Sequence, residues 1–308
     1  MAEPSIIFFG NERLATGVIT QVATLKALLE ASYHVAAVVS HNESTNSRKQ
    51  RALEIAEVAE SNHIPVLLPA KPADIQDQLA AYKAEIGVLV AYGKIVPQAI
   101  IDLLPRGIIN VHPSLLPKHR GSTPLESVIL SGETETGVSV MGLTQAMDAG
   151  PVYAQETVHL TGNETKQELA DNLLEVGSKL ILQVLPDALA GTAQAVPQDD
   201  SAATYDELIK KEDGLLDFSK PAVQLEREVR AYLEWPKSRT TLAGKEVVIT
   251  KAHVLASDVQ NQPGSVWKDG KQFGFYTADG ILVIDTLKPA GKPDMPAAAF
   301  VAGYGSQL

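Results

Sequence analysis

Through residues 1–190, short apolar runs alternate with amphipathic stretches. Residues 5–9, 35–39, 65–68, 86–91 and 107–111 are compact apolar runs of the length of buried strands. Residues 14–29, 52–59 and 97–103 instead place apolar side chains at helical spacing. Strands alternating with helices predict βαβ units, right-handed crossovers and a mainly parallel sheet. Thr123, Pro124 and Glu126 read as an N-cap, a first-turn proline and a capping-box acid, so a helix over residues 124–130 begins just past Gly121. Residues 138–141 and 152–159 read as two more strands. Leu169, Leu173, Leu180 and Val184 then stripe one face of a long helix over residues 168–189, which closes a first domain at residues 1–190.

After Gly191 the pattern changes. Residues 191–204 are polar and aperiodic and read as a linker or extended arm. Two short helices follow, at residues 205–210 and 223–233. Five short strands come next, at residues 239–242, 247–255, 264–267, 273–277 and 281–287, with Gly244, Gly264, Gly270 and Gly280 at their joints. This spacing predicts a small OB-like β-barrel over residues 205–308. The expected fold class is therefore α/β: a Rossmann-like N-terminal domain with a mainly parallel sheet, plus an OB-like C-terminal domain.

Composition narrows the possibilities. Hydrophobic residues make up 45% and charged residues 20% of the 308, which excludes a disordered or collagen-like chain. No cysteine is present, so disulfides, thiolate zinc sites, iron–sulfur clusters and thiol catalysis are excluded together. The start of the chain lacks the basic and apolar regions of a signal peptide, and no run of about 20 apolar residues occurs. A cytoplasmic protein without membrane contact, a monomer, is the expectation. Basic residues number 26 against 37 acidic, a net charge of −11, which disfavours indiscriminate binding to polyanions. The excess is uneven: residues 205–308 carry 13 basic and 14 acidic residues, leaving 13 against 23 in residues 1–204. A nucleic acid would have to use local patches and the C-terminal part.

The richest chemistry lies in residues 108–150. Asn110 and His112, two apart at the end of a predicted strand, project from one face. An amide donor beside a titratable imidazole suits a developing oxyanion and proton transfer. Asp148 follows in a loop ending at Gly150 and could orient the imidazole or take a proton from an attacking amine. Alone, each has a plainer reading, His112 as a core hydrogen-bonder and Asp148 as a turn residue. No nucleophile elbow surrounds Ser114, and His119 lacks spaced partners, so no metal is expected. Gly10 begins no dinucleotide fingerprint.

Taken together, the run from Asn110 to Pro117, Arg120-Gly121, the run from Glu135 to Val138 and the run from Met147 to Pro151 resemble the folate-dependent formyltransferase family. The segments Ala91 to Pro97 and Ile6 to Gly10 strengthen the match. The resemblance implies 10-formyltetrahydrofolate as formyl donor and an amine as acceptor, with Asn110, His112 and Asp148 as the catalytic set. It implies a pterin pocket between residues 91–97 and 143–148. Gly93, Leu143 and the turn Ser114, Leu115, Leu116 and Pro117 are its candidate folate contacts, largely through main-chain groups.

Three acceptor branches of that family compete. The branch acting on glycinamide ribonucleotide typically ends near the last helix of the first domain. The nucleotide-sugar branch shares the catalytic motif, and the third branch adds an OB-like domain that helps grip charged initiator Met-tRNA. The stretches 203–205, 210–213, 216–218, 225–231, 235–236, 244–247 and 287–292 resemble the third branch, so the likeness runs from Ile6 to about Phe300. It implies formylation of the α-amino group of methionyl initiator tRNA. Transfer to a nucleotide-sugar remains the alternative, and a non-catalytic folate- or RNA-binding module the other class. Arg48, Lys49 and Arg51 are candidate tRNA contacts, although residues 40–51 lack the glycines usual in the family's acceptor loop. Lys245 and Lys251, six apart and expected to share a strand face, are further candidates, with Lys288 and Lys292 flanking a turn.

Overall fold

The computed structural model describes residues 4–14, 16–41, 53–242, 244–259 and 261–307. Packing divides the chain into two compact units. The first comprises Met1–Pro124, Glu135–Leu160 and Gln167–Glu207, and the second Leu125–Thr134, Thr161–Lys166 and Leu208–Leu308.

In the first unit, β1 (Ser5–Gly10), β2 (His34–Val39), β3 (Val66–Leu67), β4 (Ile86–Val90) and β5 (Ile108–His112) pair in parallel. Past a short strand β6 (Arg120–Gly121), strands β7 (Glu135–Gly142) and β8 (Val152–His159) join antiparallel, and the order is β3-β2-β1-β4-β5-β7-β8. Every residue of β1, β4 and β5 is buried, as strands covered on both faces require. That continuous burial is why they read so plainly as apolar runs. The helices are α1 (Ala23–Glu30), α2 (Glu54–Ser61), α3 (Gln76–Ala81), α4 (Gln98–Ile101), α5 (Pro124–Ser131) and α6 (Lys166–Ala190).

Helix α6 lies against one side of β5. A Cβ added at its Gly177 would stand 2.5 Å from Val111 Cγ1, so glycine there permits close helix–sheet approach. The other side of β5 carries Ile108, which joins a core cluster with Phe9, Tyr92, Val96, Ile100 and Leu104. Asn110 and His112 continue that second face by the alternation of the strand.

Three expectations need correction. The helix expected over residues 14–29 starts only at Ala23. Before it, Gly17, Gln21 and Val22 have positive φ and Arg13 bridges Ile19, so the apolar spacing there serves an irregular turn. The helix expected over residues 205–210 is instead a two-residue strand, β9 (Tyr205–Asp206), paired in parallel with β6. Glu126 does not serve simply as a capping acid. It is buried in the second unit, 3.1 Å from the equally buried Lys166 ammonium.

The segment expected to link the domains is hydrogen-bonded along the first unit. Val196 and Val152 exchange two main-chain hydrogen bonds of 2.8 Å, Arg120 N donates to Thr204 O, and Thr204 N donates to Pro117 O. It behaves as an extended arm.

The second unit is a six-stranded antiparallel sheet. Its strands are β10 (Ser238–Leu242), β11 (Lys245–Leu255), β12 (Val266–Asp269), β13 (Gln272–Tyr276), β14 (Ile281–Pro289) and β15 (Met295–Pro296). They run in the order β10-β11-β14-β13-β12, with β15 on β14. Helices α7 (Ala222–Ala231) and α8 (Ala297–Tyr304) contribute Leu225, Val229 and Phe300 to a core with Phe273 and Phe275. Strand β11 is bulged: Ile249 faces Leu287, Lys251 faces Thr286 and Ala252 faces Ile284. The inward set therefore switches from Val247 and Ile249 to Ala252. Lys245 and Lys251, expected on one face, lie on opposite faces for this reason. Lys245 Nζ sits 4.5 Å above the Tyr304 ring, whereas Lys251 points outward.

Glu228 on α7 is buried, with one oxygen 2.7 Å from Lys220 Nζ and the other without a partner among the described residues. Burial holds its carboxyl above the usual range, although the Lys220 ammonium pulls it back down. A raised folded-state pKa contributes stability at low pH and loses it as pH rises through the folded value. Glu228→Gln, which cannot ionise, is expected to gain stability relative to the parent as pH climbs from about 4 to about 7, read as a widening gap in urea midpoints. A gap constant with pH would contradict this account.

Candidate active site

The site begins where β5 ends. Asn110 is 6% and His112 5% exposed, both on the face opposite Val111. Among the described residues the Asn110 amide meets no protein hydrogen-bond partner, so its donors are uncommitted. His112 Nε2 lies 2.9 Å from the main-chain oxygen of His119. A carbonyl can only accept, so Nε2 carries a hydrogen and Nδ1 is the nitrogen left to gain or lose a proton. Nδ1 faces Asp148, 3.8 Å from Oδ1. That distance suits an ion pair and is too long for a hydrogen bond, so an Nδ1–H there can still donate to a third atom.

Asp148 reaches His112 because the β7–β8 connection folds back over the sheet. Leu143 N donates to Ile108 O at 2.7 Å, which anchors the start of the connection at the opposite end of β5 from His112. The Leu143 side chain packs on the cluster that holds Tyr92 and Val96. Asp148 adopts φ +47°, a left-handed conformation, and its Oδ2 accepts from Gly121 N at 2.8 Å. Oδ1 is thereby turned toward the imidazole. Gly150 closes the loop with no room to spare, since an added Cβ would stand 1.7 Å from the Gly142 oxygen.

The turn Ser114–Pro117 is pinned to the neighbouring strands. Ser114 Oγ donates to Lys118 O, Ser139 Oγ donates to Ser114 O and accepts from Leu116 N, and Gln155 Nε2 donates to Leu116 O. Leu115 packs against Gly137 and Leu116 is buried. Gly93 follows β4 with φ +72°, and His41 Nε2 hydrogen-bonds the adjacent Tyr92 oxygen at 2.7 Å. Burial pushes the Tyr92 phenol up to about 12, and its hydroxyl has no hydrogen-bond partner among the described residues.

The structure thus brings Asn110, His112 and Asp148 together. It sets Gly93 and Ser114–Pro117 at the end of the sheet where β4 and β5 finish, whereas Leu143 shares their face but stands at the opposite end of β5. Lys245, Lys251, Lys288 and Lys292 belong to the second unit, where Lys251 and Lys288 lie on the outer face and Lys292 is exposed in the turn after β14. Arg48, Lys49 and Arg51 lie outside the described residues. Sequence reasoning missed Gln198, Asp200 and Tyr205, which meet the buried Arg120 side chain. They sit in and beside the stretch expected to be a linker, where no periodicity marks them.

Gly150→Ala is expected to destabilise the protein by about 1–3 kcal/mol, as overpacking against a main-chain oxygen does. Thermal or urea unfolding measures it, and an unchanged midpoint would contradict the close approach.

The sequence matches the family described as formyl transferase over residues 6–185 and the formyl transferase C-terminal domain over residues 208–305. A methionyl-tRNA formyltransferase of Chloroflexus aurantiacus is 37% identical over 306 residues, covering 97% of this chain and 96% of that one. Among solved structures, HypX from Aquifex aeolicus in complex with tetrahydrofolic acid superposes with a TM-score of 0.68 at 19% identity, over 98% of this chain. This chain spans about half the length of HypX, covering 48% of it. An N-formyltransferase from Helicobacter canadensis, in complex with folinic acid and dTDP-3-aminofucose, gives 0.69 at 19% identity over 92% of this chain and 98% of that one. At those identities the two structures speak for the fold. The sequence likeness runs through both units, and the chain belongs to the methionyl-tRNA formyltransferase family.

Proposed function

We propose that this chain transfers the formyl group of 10-formyltetrahydrofolate to the α-amino group of methionyl initiator tRNA, giving N-formylmethionyl-tRNA and tetrahydrofolate. The observation that carries the reading is the convergence of an uncommitted Asn110 amide, His112 Nδ1 and Asp148 Oδ1 at the end of β5. Family membership supports the choice of donor and acceptor. The setting we expect is a cytoplasmic monomer.

In the proposed reaction the neutral amine nitrogen attacks the formyl carbon. A carbon–nitrogen bond forms and the carbonyl pair moves onto oxygen. The Asn110 amide and an Nδ1–H on His112 donate to that oxyanion, while the Asp148 carboxylate balances the imidazolium charge. Asp148 takes the proton lost by the attacking nitrogen. As the adduct collapses, the bond to the donor's nitrogen breaks and that nitrogen receives the proton, so atoms and charge balance. Gly93, Leu143 and the Ser114–Pro117 turn are the proposed folate contacts. Lys245, Lys251, Lys288 and Lys292, together with Arg48, Lys49 and Arg51, are the proposed contacts to tRNA phosphates.

The test is formyl transfer from 10-formyltetrahydrofolate with charged initiator tRNA and an amino-sugar nucleotide offered in parallel. Product is expected on the tRNA, with kcat/KM falling as salt rises, because phosphate contacts release counterions. Asn110→Ala and His112→Ala are each expected to lower kcat about 10²–10³-fold in a folded protein. Transfer to the sugar nucleotide alone would overturn the acceptor, and unaltered kcat in both variants would overturn the catalytic set.

A further inference from the structure

Arg120 is 1% exposed, and its guanidinium makes four hydrogen bonds to the arm that follows α6. Nε and Nη2 donate to Gln198 Oε1 at 3.1 and 2.8 Å, Nη2 donates to Asp200 Oδ1 at 2.7 Å, and Nη1 donates to Tyr205 Oη at 2.8 Å. Burial by itself would lower the guanidinium pKa, but the hydrogen bonds to Asp200 and Tyr205 reverse this and leave it raised. Gln198 then turns back toward the site. Its Nε2 donates to the main-chain oxygens of Asp148 and Gly150, both at 2.7 Å.

The chemistry fixes how that amide must lie. A guanidinium only donates and a carbonyl only accepts, so one orientation of the Gln198 amide satisfies all four bonds and the flipped one satisfies none. No other side chain of this length both accepts and donates in this way. Glutamate cannot donate, lysine cannot accept, and asparagine is shorter by a methylene. Arg120-Gly121 therefore grips Asp148 twice, directly through Gly121 N on the carboxylate and indirectly through Arg120 and Gln198 on the main chain. The double grip holds Asp148 in a left-handed conformation that side-chain-bearing residues seldom adopt unsupported.

We infer that Gln198 is a positioning residue for the reaction, a bridge from the buried Arg120 guanidinium to the Asp148–Gly150 carbonyls that sets where the Asp148 carboxylate stands relative to His112. This rests on the role proposed above for Asp148. It makes the arm over residues 196–206 a working part of the site, acting through the Asp148 and Gly150 main chain.

The test uses the full chain and the tRNA formylation assay. Gln198→Glu keeps the length and the acceptor for Arg120 but removes both donors. It is expected to lower kcat roughly 10- to 100-fold, the scale of an ångström-sized misplacement, with KM for both substrates held within about threefold. Gln198→Met, which removes the donors without setting a carboxylate against two carbonyls, is expected to do the same and covers the case in which the glutamate variant fails to fold. The decisive comparison is made on Asp148→Asn. If Gln198 acts through Asp148, adding Gln198→Glu to that variant costs less than about twofold more, whereas a general structural role would multiply the two losses. Multiplied losses, or kcat within about threefold of the parent in both Gln198 variants while Asp148→Asn is crippled, would overturn the inference. An Asp148→Asn variant with parental kcat would instead overturn the reading of Asp148 itself.

Discussion

Strand β5 has a parallel neighbour on one side and an antiparallel one on the other, and its two-residue alternation decides where chemistry can stand. Ile109 and Val111 face helix α6, whose Gly177 lets the helix come close enough to seal that side. Ile108, Asn110 and His112 take the opposite side, where the first belongs to the apolar cluster and the other two lie beyond it. A slip of one residue in the pairing of β5 would bury both polar side chains beneath α6 without partners. Tight packing on the far side is therefore what makes the near side usable.

On the near side the polar groups are held by main-chain atoms as much as by side chains. The His119 oxygen fixes one imidazole nitrogen, Gly121 N fixes one carboxylate oxygen, and the Asp148 and Gly150 oxygens receive the Gln198 amide. Such groups cannot be mutated away singly, and they impose narrow geometry in a region where water is scarce. The same arrangement explains the tolerance of a buried guanidinium. Arg120 would be costly to bury alone, but four hydrogen bonds to Gln198, Asp200 and Tyr205 offset its desolvation.

Much of this was legible in the sequence, and the rest was hidden for physical reasons. The strands of the first sheet announce themselves because burial on both faces leaves apolar runs such as Ile6 to Phe9. Asn110, His112 and Asp148 were singled out by the resemblance that the motifs around them carry to the formyltransferase family, since each alone has a plainer reading. The stretch before α1 misled, because Val18 and Val22 are buried within a turn and give helical spacing without a helix. The bulge in β11 cannot be seen in a strand whose residues alternate acceptably, yet it separates Lys245 from Lys251. Residues 191–204 carry no periodicity because an extended arm bonded along an existing surface needs none. Gln198 was lost with them.

The carbonyl that accepts from His112 Nε2 belongs to the peptide backbone just ahead of Arg120. The hydrogen on Nε2 is thus dictated by chain conformation, and Nδ1 is left facing the Asp148 carboxylate. Substitution of the neighbouring side chains leaves that hydrogen in place. Only a change that redirects the turn through residues 117–121 would move it, so the course of the main chain there governs what Nε2 can offer.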